Sequence, residues 1–412
     1  MKTTTTPLLL LCLLATTSLA ADSTGPAANA INSFGLDVLR KTAKPDANAL
    51  ISPYSLETAL VMTYAGAGGV TSNEMAKVLH LGSDERQTHN SFGLLQRQIS
   101  GLVERSAQAS ANLKREGLTN DPITLTVANR LFAQQGAYFK APFTDLLKTN
   151  YGAPLEPLDF AADPPGATKT INNWVEQETR QRIRNLLPDG ALNNMTRLVL
   201  ANAVYMKAPW ETPFETSATK PAPFHLASGA PLAVPTMSIQ KSFGYMKFKG
   251  FTAVAIPYKD DGFQFLILLP DATNGLAELE SKGLRLDKCA DLPKREVMLY
   301  LPKFKMEPPT MSLAETLEQL GMKTAFDPFK ADFDRISEYD SLFISAVYHK
   351  TFLSLDEKGT EAAAATAVVV GFGGAPKRST PIEMRVDHPF MFAIQHRASG
   401  ACLFLGHVVD PR

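Results

Sequence analysis

EKGTEAAAATAVVVGFGGAPKR, residues 357–378, is the stretch whose reading decides the fold. It separates two strand-like runs, residues 345–355 and 382–394, and before Lys377 its only charges are Glu357, Lys358 and Glu361. In an extended chain, alternate side chains point to opposite faces. One face then carries Thr360, Ala362, Ala364, Thr366 and Val368, and the other carries Glu361, Ala363, Ala365 and Ala367. The first face holds no charge, so a sheet can bury it without desolvating an ion. Such a segment can sit outside a sheet in one state and become a strand in another. Taken alone, the alanine run reads as a helix and GFGG as a flexible linker. The rest of the chain changes that balance.

Outward from this stretch, the second half of the chain is patterned as strands. Residues 251–258 and 263–269 flank Asp261-Gly262, a hairpin signal, and residues 297–303 and 403–409 are further strand-like runs. A helix is predicted over 313–320, with Ser312 and Glu315 as a capping box and Gly321 as its stop. The first half is mainly helical. Ile31, Phe34, Val38 and Leu39 have helical spacing; Ser52 caps a buried helix over 54–64, with Pro53 at its first position. Thr71 and Glu74 suggest a capping box for a helix over 73–79, and helical patterning returns over 91–108, before a polar loop at 112–121. Residues 123–132 read as a strand and 168–187 as a strong helix. The apolar run 198–205 fits a central strand buried on both faces. Without βαβ alternation, the pattern predicts one α+β domain with large sheets.

Residues 1–20 have the form of a signal peptide: Lys2, an apolar core over 8–15, and Ser18-Leu19-Ala20 as a cleavage site. The expected product, residues 21–412, is a single domain in a secreted or extracytoplasmic setting. No run is long enough to span a bilayer, so no membrane association is expected. With 41 basic and 41 acidic residues, no global field points to nucleic acid. After cleavage, Cys289 and Cys402 remain; they either pair or stay buried as small apolar residues. No G-x-S-x-G elbow, His-Glu metalloprotease pair or zinc-spaced cysteine pair occurs. The expectation is therefore no enzyme, no catalytic residue, no metal and no cofactor.

Several motifs in order resemble the serpin family. They are NALISPYSLETAL (48–60), VANRLFAQ (127–134), INNWVEQETRQRIRNLL (171–187), LVLANAVYMKAPW (198–210), LPKFK (301–305), LGMKTAFDPFKADFDRIS (320–337), ISAVYHKTFLSLDEKGTEAAAATAVVV (344–370), DHPFMFAI (387–394) and FLGHVVDP (404–411). The resemblance implies a serpin-like fold of three β-sheets and about nine helices, with residues 357–381 as an exposed reactive loop. It also implies a monomeric suicide-type inhibitor that traps a serine protease as its acyl-enzyme by inserting the cut loop into the large sheet. In that family, loop insertion is an established example of strand addition and of released strain. In the resemblance, Glu357, Gly359, Thr360, Ala362, Ala363, Ala364 and Ala365 match the hinge. Ser52, Ser55, Asn202 and His349 match a polar cluster beneath the point where the sheet opens, and Trp210 matches a tryptophan at its top. The alternative is a non-inhibitory serpin, a binding or carrier protein with a cleavable loop.

The reactive bond has two readings. Counting forward from Glu357 gives Phe372-Gly373 or Gly373-Gly374, while counting back from Pro389 gives Arg378-Ser379, because this loop is longer than usual. The forward count is preferred, since the hinge side sets how far the protease is carried. It favours a chymotrypsin-, elastase- or subtilisin-like target; Arg378 would suit a trypsin-like one. Gln181 and Ala208 for the usual Gly, and His407 for Arg, depart from the family pattern outside the hinge. Residues 83–120 carry no dense basic face, so heparin-type activation is not expected.

Overall fold

The computed structural model describes residues 19–118, 121–227, 231–337, 341–361 and 380–412. In chain order the elements are α1 (Leu19–Thr42), β1 (Ala49–Ile51), α2 (Pro53–Tyr64), α3 (Gly69–Val78), α4 (Glu85–Arg115) and β2 (Thr124–Gln134). There follow α5 (Ala141–Leu146), β3 (Glu156–Leu158), α6 (Pro164–Glu178), β4 (Leu198–Pro209), β5 (Lys220–Phe224), β6 (Leu232–Phe248), β7 (Phe251–Pro257) and β8 (Phe263–Pro270). The last are α7 (Leu276–Ser281), β9 (Lys294–Pro302), β10 (Phe304–Met306), β11 (Met311–Ser312), α8 (Ala314–Leu320), β12 (Ile344–Asp356), β13 (Gly359–Thr360), β14 (Ile382–Arg385), β15 (Phe390–His396) and β16 (Cys402–Val408).

The α+β class holds, with eight α-helices and two sheets among the described residues. One sheet has nine strands, ordered β1-β16-β15-β8-β7-β6-β9-β14 with β5 on β6. Three sheets were expected. Two form because β6, 17 residues long, runs through both regions that would otherwise be separate. It pairs with β5 at its start, with β9 along its middle and with β7 at its end.

The other sheet has seven strands, ordered β10-β12-β13-β4-β2-β3 with β11 on β12; β12 also pairs directly with β4. Strand β4 lies at its centre. Leu198, Leu200, Val204 and Met206 enter the main core with α1, α2 and α4, while Val199, Ala201, Ala203 and Tyr205 enter a second core under α6. Burial on both faces is why its sequence reads as an unbroken apolar run.

Some local signals resolve differently. Ser52 does cap α2, accepting from the Ser55 N–H. The Thr71-Glu74 box does not cap α3, which starts at Gly69 with no side-chain cap. Thr71 instead accepts from the Asp332 N–H, and the Glu74 carboxylate takes the Lys323 and Thr324 N–H groups. Ser312 likewise pairs in β11 rather than capping α8, while Gly321 does stop it, at φ 121°. The hairpin after β7 turns on Asp260 and Asp261, both at positive φ, rather than on Asp261-Gly262. Helix α4 runs to Arg115, into the stretch expected as a loop.

The helix expected over 168–187 ends at Glu178. Arg180 and Gln181 then take left-handed conformations, and residues 179–192 cross the sheet as a strap. Ile183, Leu186, Leu187 and Leu192 of this strap bury against Tyr205, Ala346, Tyr348 and Phe352. Residues 183, 186 and 187 thus fall at helix-like spacing in a segment that is not a helix.

Candidate functional site

The site is the seam between β4 and β12. Over Ile344–Phe352 the two strands are parallel neighbours, His349 opposite Asn202. At the upper end a third strand has entered between them. Thr360 and Gly359 of β13 pair antiparallel with Ala208 and Pro209 on one side and with Leu355 and Asp356 on the other. The chain reverses at Glu357-Lys358, held by Trp210 N–H to the Lys358 carbonyl (2.9 Å) and Phe214 N–H to the Glu357 carbonyl (2.8 Å).

Each residue of this reversal has distinct contacts. Gly359 sits at φ 147°, where a Cβ would lie 2.1 Å from the Ala208 carbonyl oxygen, so only glycine fits. Thr360 is fully buried, its hydroxyl 2.5 Å from the Tyr258 phenol. Tyr258 stacks on Trp210 at 4.6 Å, and the Trp210 indole N–H donates to the Asp356 carbonyl at 2.9 Å. Burial opposes the charge on Glu357, but the Lys303 ammonium at 2.8 Å and the Thr219 hydroxyl outweigh it and hold the carboxyl below its usual range. Glu361 points to the opposite face from Thr360, into a 2.6 Å ion pair with Arg182 of the strap. Its φ is 44°, and its N–H donates to the Ser354 carbonyl of β12 at 2.8 Å. Burial pushes the Glu361 carboxyl up, against the pull of Arg182 and Tyr205.

Below the entry point, a buried network crosses the seam. The Ser52 N–H donates to His349 Nε2 at 3.0 Å, so the ring proton sits on Nδ1 and donates to Asn202 Oδ1. Asn202 Nδ2 donates to Ser55 Oγ and Asn129 Oδ1. Ser55 Oγ donates to Asn129 Oδ1 at 2.7 Å, and Asn129 Nδ2 returns a bond to the Ser55 carbonyl at 2.9 Å. Burial lowers His349 to about 3, so it is neutral. The network ties α2, β2, β4 and β12 at one point. Opening the seam there would strand buried donors and acceptors, which costs free energy.

A family model described as "Serpin (serine protease inhibitor)" matches residues 29–411. The chain belongs to the serpin family. A serpin-like protein of Thermococcus kodakarensis is 35% identical over 391 residues, covering 94% of this chain and 86% of that protein. A leukocyte elastase inhibitor of Bos taurus is 36% identical over 379 residues, covering 89% and 94%. Among solved structures, uncleaved ovalbumin superposes with a TM-score of 0.78 at 28% identity, covering 94% and 100%. Serpin48 of the insect Tenebrio molitor does so at 0.74 and 32%, covering 93% and 98%.

In this serpin the sequence-selected residues fall into three groups. Ser52, Ser55, Asn202 and His349 meet in the buried network, and Trp210, Glu357, Gly359 and Thr360 meet at the upper seam. Ala362, Ala363, Ala364, Ala365, Phe372, Gly373, Gly374, Arg378 and Ser379 lie outside the described residues. Several participants were missed, among them Asn129, Tyr258, Arg182, Lys303 and Thr219. Asn129 betrays itself as the one polar residue on the face that carries Leu125, Val127, Leu131 and Ala133. Tyr258 and Arg182 give no such local signal. Cys289 and Cys402 are both buried and free, with thiols pushed up to about 12 by burial. No described helix is long and apolar enough to cross a membrane.

Proposed function

We propose that this serpin is a secreted suicide-type inhibitor of serine proteases, released after Ala20 and acting as a monomer without a cofactor. The protease cuts the reactive loop, an acyl-enzyme forms, and the loop slides into the seam before deacylation. One observation carries this reading: β13 already lies between β4 and β12, antiparallel to both. Carrying that strand onward exchanges one parallel pairing for two antiparallel ones, which are the more stable type per residue.

The register supports the forward count for the reactive bond. Thr360 faces Ala208, so ten residues further Val370 faces Leu198, the first residue of β4. Phe372-Gly373 and Gly373-Gly374 would then lie just past the end of the sheet, which draws the protease hard against the far pole. Arg378 would leave about 25 Å of slack, at ~3.3 Å per residue. The favoured target is therefore chymotrypsin-, elastase- or subtilisin-like, and the likeness to a protein named leukocyte elastase inhibitor fits the elastase-like class. Ten inserted residues can make ~20 ladder bonds while the opened seam gives up ~8, a net gain on the order of 10 kcal/mol.

Incubation with chymotrypsin, elastase and trypsin, followed by denaturing gels, tests the proposal. A complex that survives denaturation with one of the first two is expected. Loop cleavage by all three without any such complex would overturn it in favour of a cleavable, non-inhibitory serpin.

A further inference from the structure

Away from the seam, the opposite edge of β2 is open. Strand β2 pairs with β4 along almost its whole length, but with β3 only over Phe132–Gln134. The Gln134 N–H points to the Arg197 carbonyl at the foot of β4, and the Gln135 N–H to the Leu158 carbonyl of β3. By the alternation of an antiparallel ladder, the main-chain groups of Leu125, Val127 and Asn129 therefore face away from β4. Among the described residues, no hydrogen bond reaches those outward groups.

That edge borders a cavity of about 510 Å³. Leu125, Val127 and Asn129 line it; across from them stand Tyr54, Met62 and Thr58 of α2, Ile99, Ser100 and Val103 of α4, and Trp174 of α6. The volume falls within the usual range of ligand sites. The Trp174 indole N–H is buried without a partner, under the Arg130 guanidinium 4.5 Å from the ring centroid. Both walls are mixed: the α2 and α4 side adds Gln96 and Glu104 to its apolar groups, and the α6 side carries Trp174 and Glu178 beside Arg130 of β2.

We propose that this groove binds an extended peptide segment of another polypeptide by strand addition to β2. Outward donors and acceptors repeating at every second residue match a β-strand and no compact molecule. The occupant lies in line with β3 and parallel to β2, as β3 does. Its side chains alternate, apolar ones meeting Met62, Ile99 and Val103 and polar ones facing Arg130 and Glu178. One of its carbonyls is positioned to accept from Trp174. A segment of about four residues fills the space at ~3.3 Å each.

The probe is the acetylated, amidated tetrapeptide Leu-Ser-Val-Thr, with hydrogen-exchange mass spectrometry on the full chain. At saturating peptide, residues 125–131 are expected to exchange at least ten-fold more slowly. Ser100→Trp, on the exposed side of α4, fills the groove and is expected to abolish that protection. The same peptide with its backbone amides N-methylated is expected to give none. Absence of protection at 125–131 overturns the proposal. So does equal protection by the N-methylated peptide, which would mean simple filling of the cavity. Protection at 344–352 instead would mean the peptide had entered the seam, and also overturns it. If Ser100→Trp melts below the parent, the N-methylated arm alone decides.

Discussion

Thr360→Arg separates cleavage by a protease from trapping of that protease. Thr360 is fully buried between β4 and β12, and its neighbours Ala208, Leu355 and Tyr258 offer no carboxylate. A guanidinium there is an uncompensated buried charge, costing about 3–5 kcal/mol. The ladder bonds of β13 and the Thr360–Tyr258 bond are together worth only about 2–5 kcal/mol, at roughly 0.5–1.5 kcal/mol each. The arginine therefore expels β13 from the intact molecule and removes a third to a half of the ~10 kcal/mol gained on full insertion. The loop is expected to stay cleavable, because the substitution lies 12 residues before Phe372, where the reactive bond is proposed. The expected outcome on denaturing gels is complete loop cleavage with little protease complex, and a smaller rise in melting temperature after cleavage. Thr360→Ser, which keeps the hydroxyl, should trap as the parent does. Normal complex yield from Thr360→Arg would show that Thr360 does not lead the inserting strand.

Three further outcomes follow from particular residues. Gln181 sits in the strap at φ 66°, so Gln181→Gly should raise the stability of the intact protein by about 1 kcal/mol, read as a higher melting temperature; an unchanged or lower value would argue against strain there. Glu57 is fully buried in α2 with neither carboxyl oxygen hydrogen-bonded, and burial raises its pKa well above the usual 4.5. A raised acid gives stability that is lost as pH rises through its folded value, so Glu57→Met should stabilise most at alkaline pH, measured as urea midpoints from pH 6 to 9. Burial lowers His349 to about 3, and His89 and His396 to about 4, from 6.5. Between those values the unfolded chain binds more protons, so stability should fall as pH drops from 6.5 towards 4.5. His388 works the other way, since Asp387 and the Pro270 carbonyl outweigh its burial and raise it. A urea midpoint that stays flat across that window would contradict the three neutral histidines.

Much of the fold was legible because local and tertiary demands agree. Ser52-Pro53 starts a helix on chain grounds alone, and the double burial of β4 is written in its residues. Where they disagree, the sequence misleads. Thr71 and Glu74 have the spacing of a capping box, yet both are taken up by the segment 323–332, which no local pattern announces. Ile183 and Leu186 keep helical spacing in a strap that is not a helix. The divergence of Thr360 and Glu361 could be read by face parity, since neighbours in an extended chain point to opposite faces. That Tyr258 and Arg182 receive them could not, because those contacts join residues roughly 100 and 180 positions apart, beyond any local period.

The central claim is that the intact molecule is held short of a more stable, loop-inserted state. Scanning calorimetry of the intact chain and of the chain nicked within residues 371–378 tests it most directly. A net gain on the order of 10 kcal/mol predicts a melting temperature higher by roughly 10–30 °C after nicking. A nicked protein that melts at or below the temperature of the intact one would contradict the account.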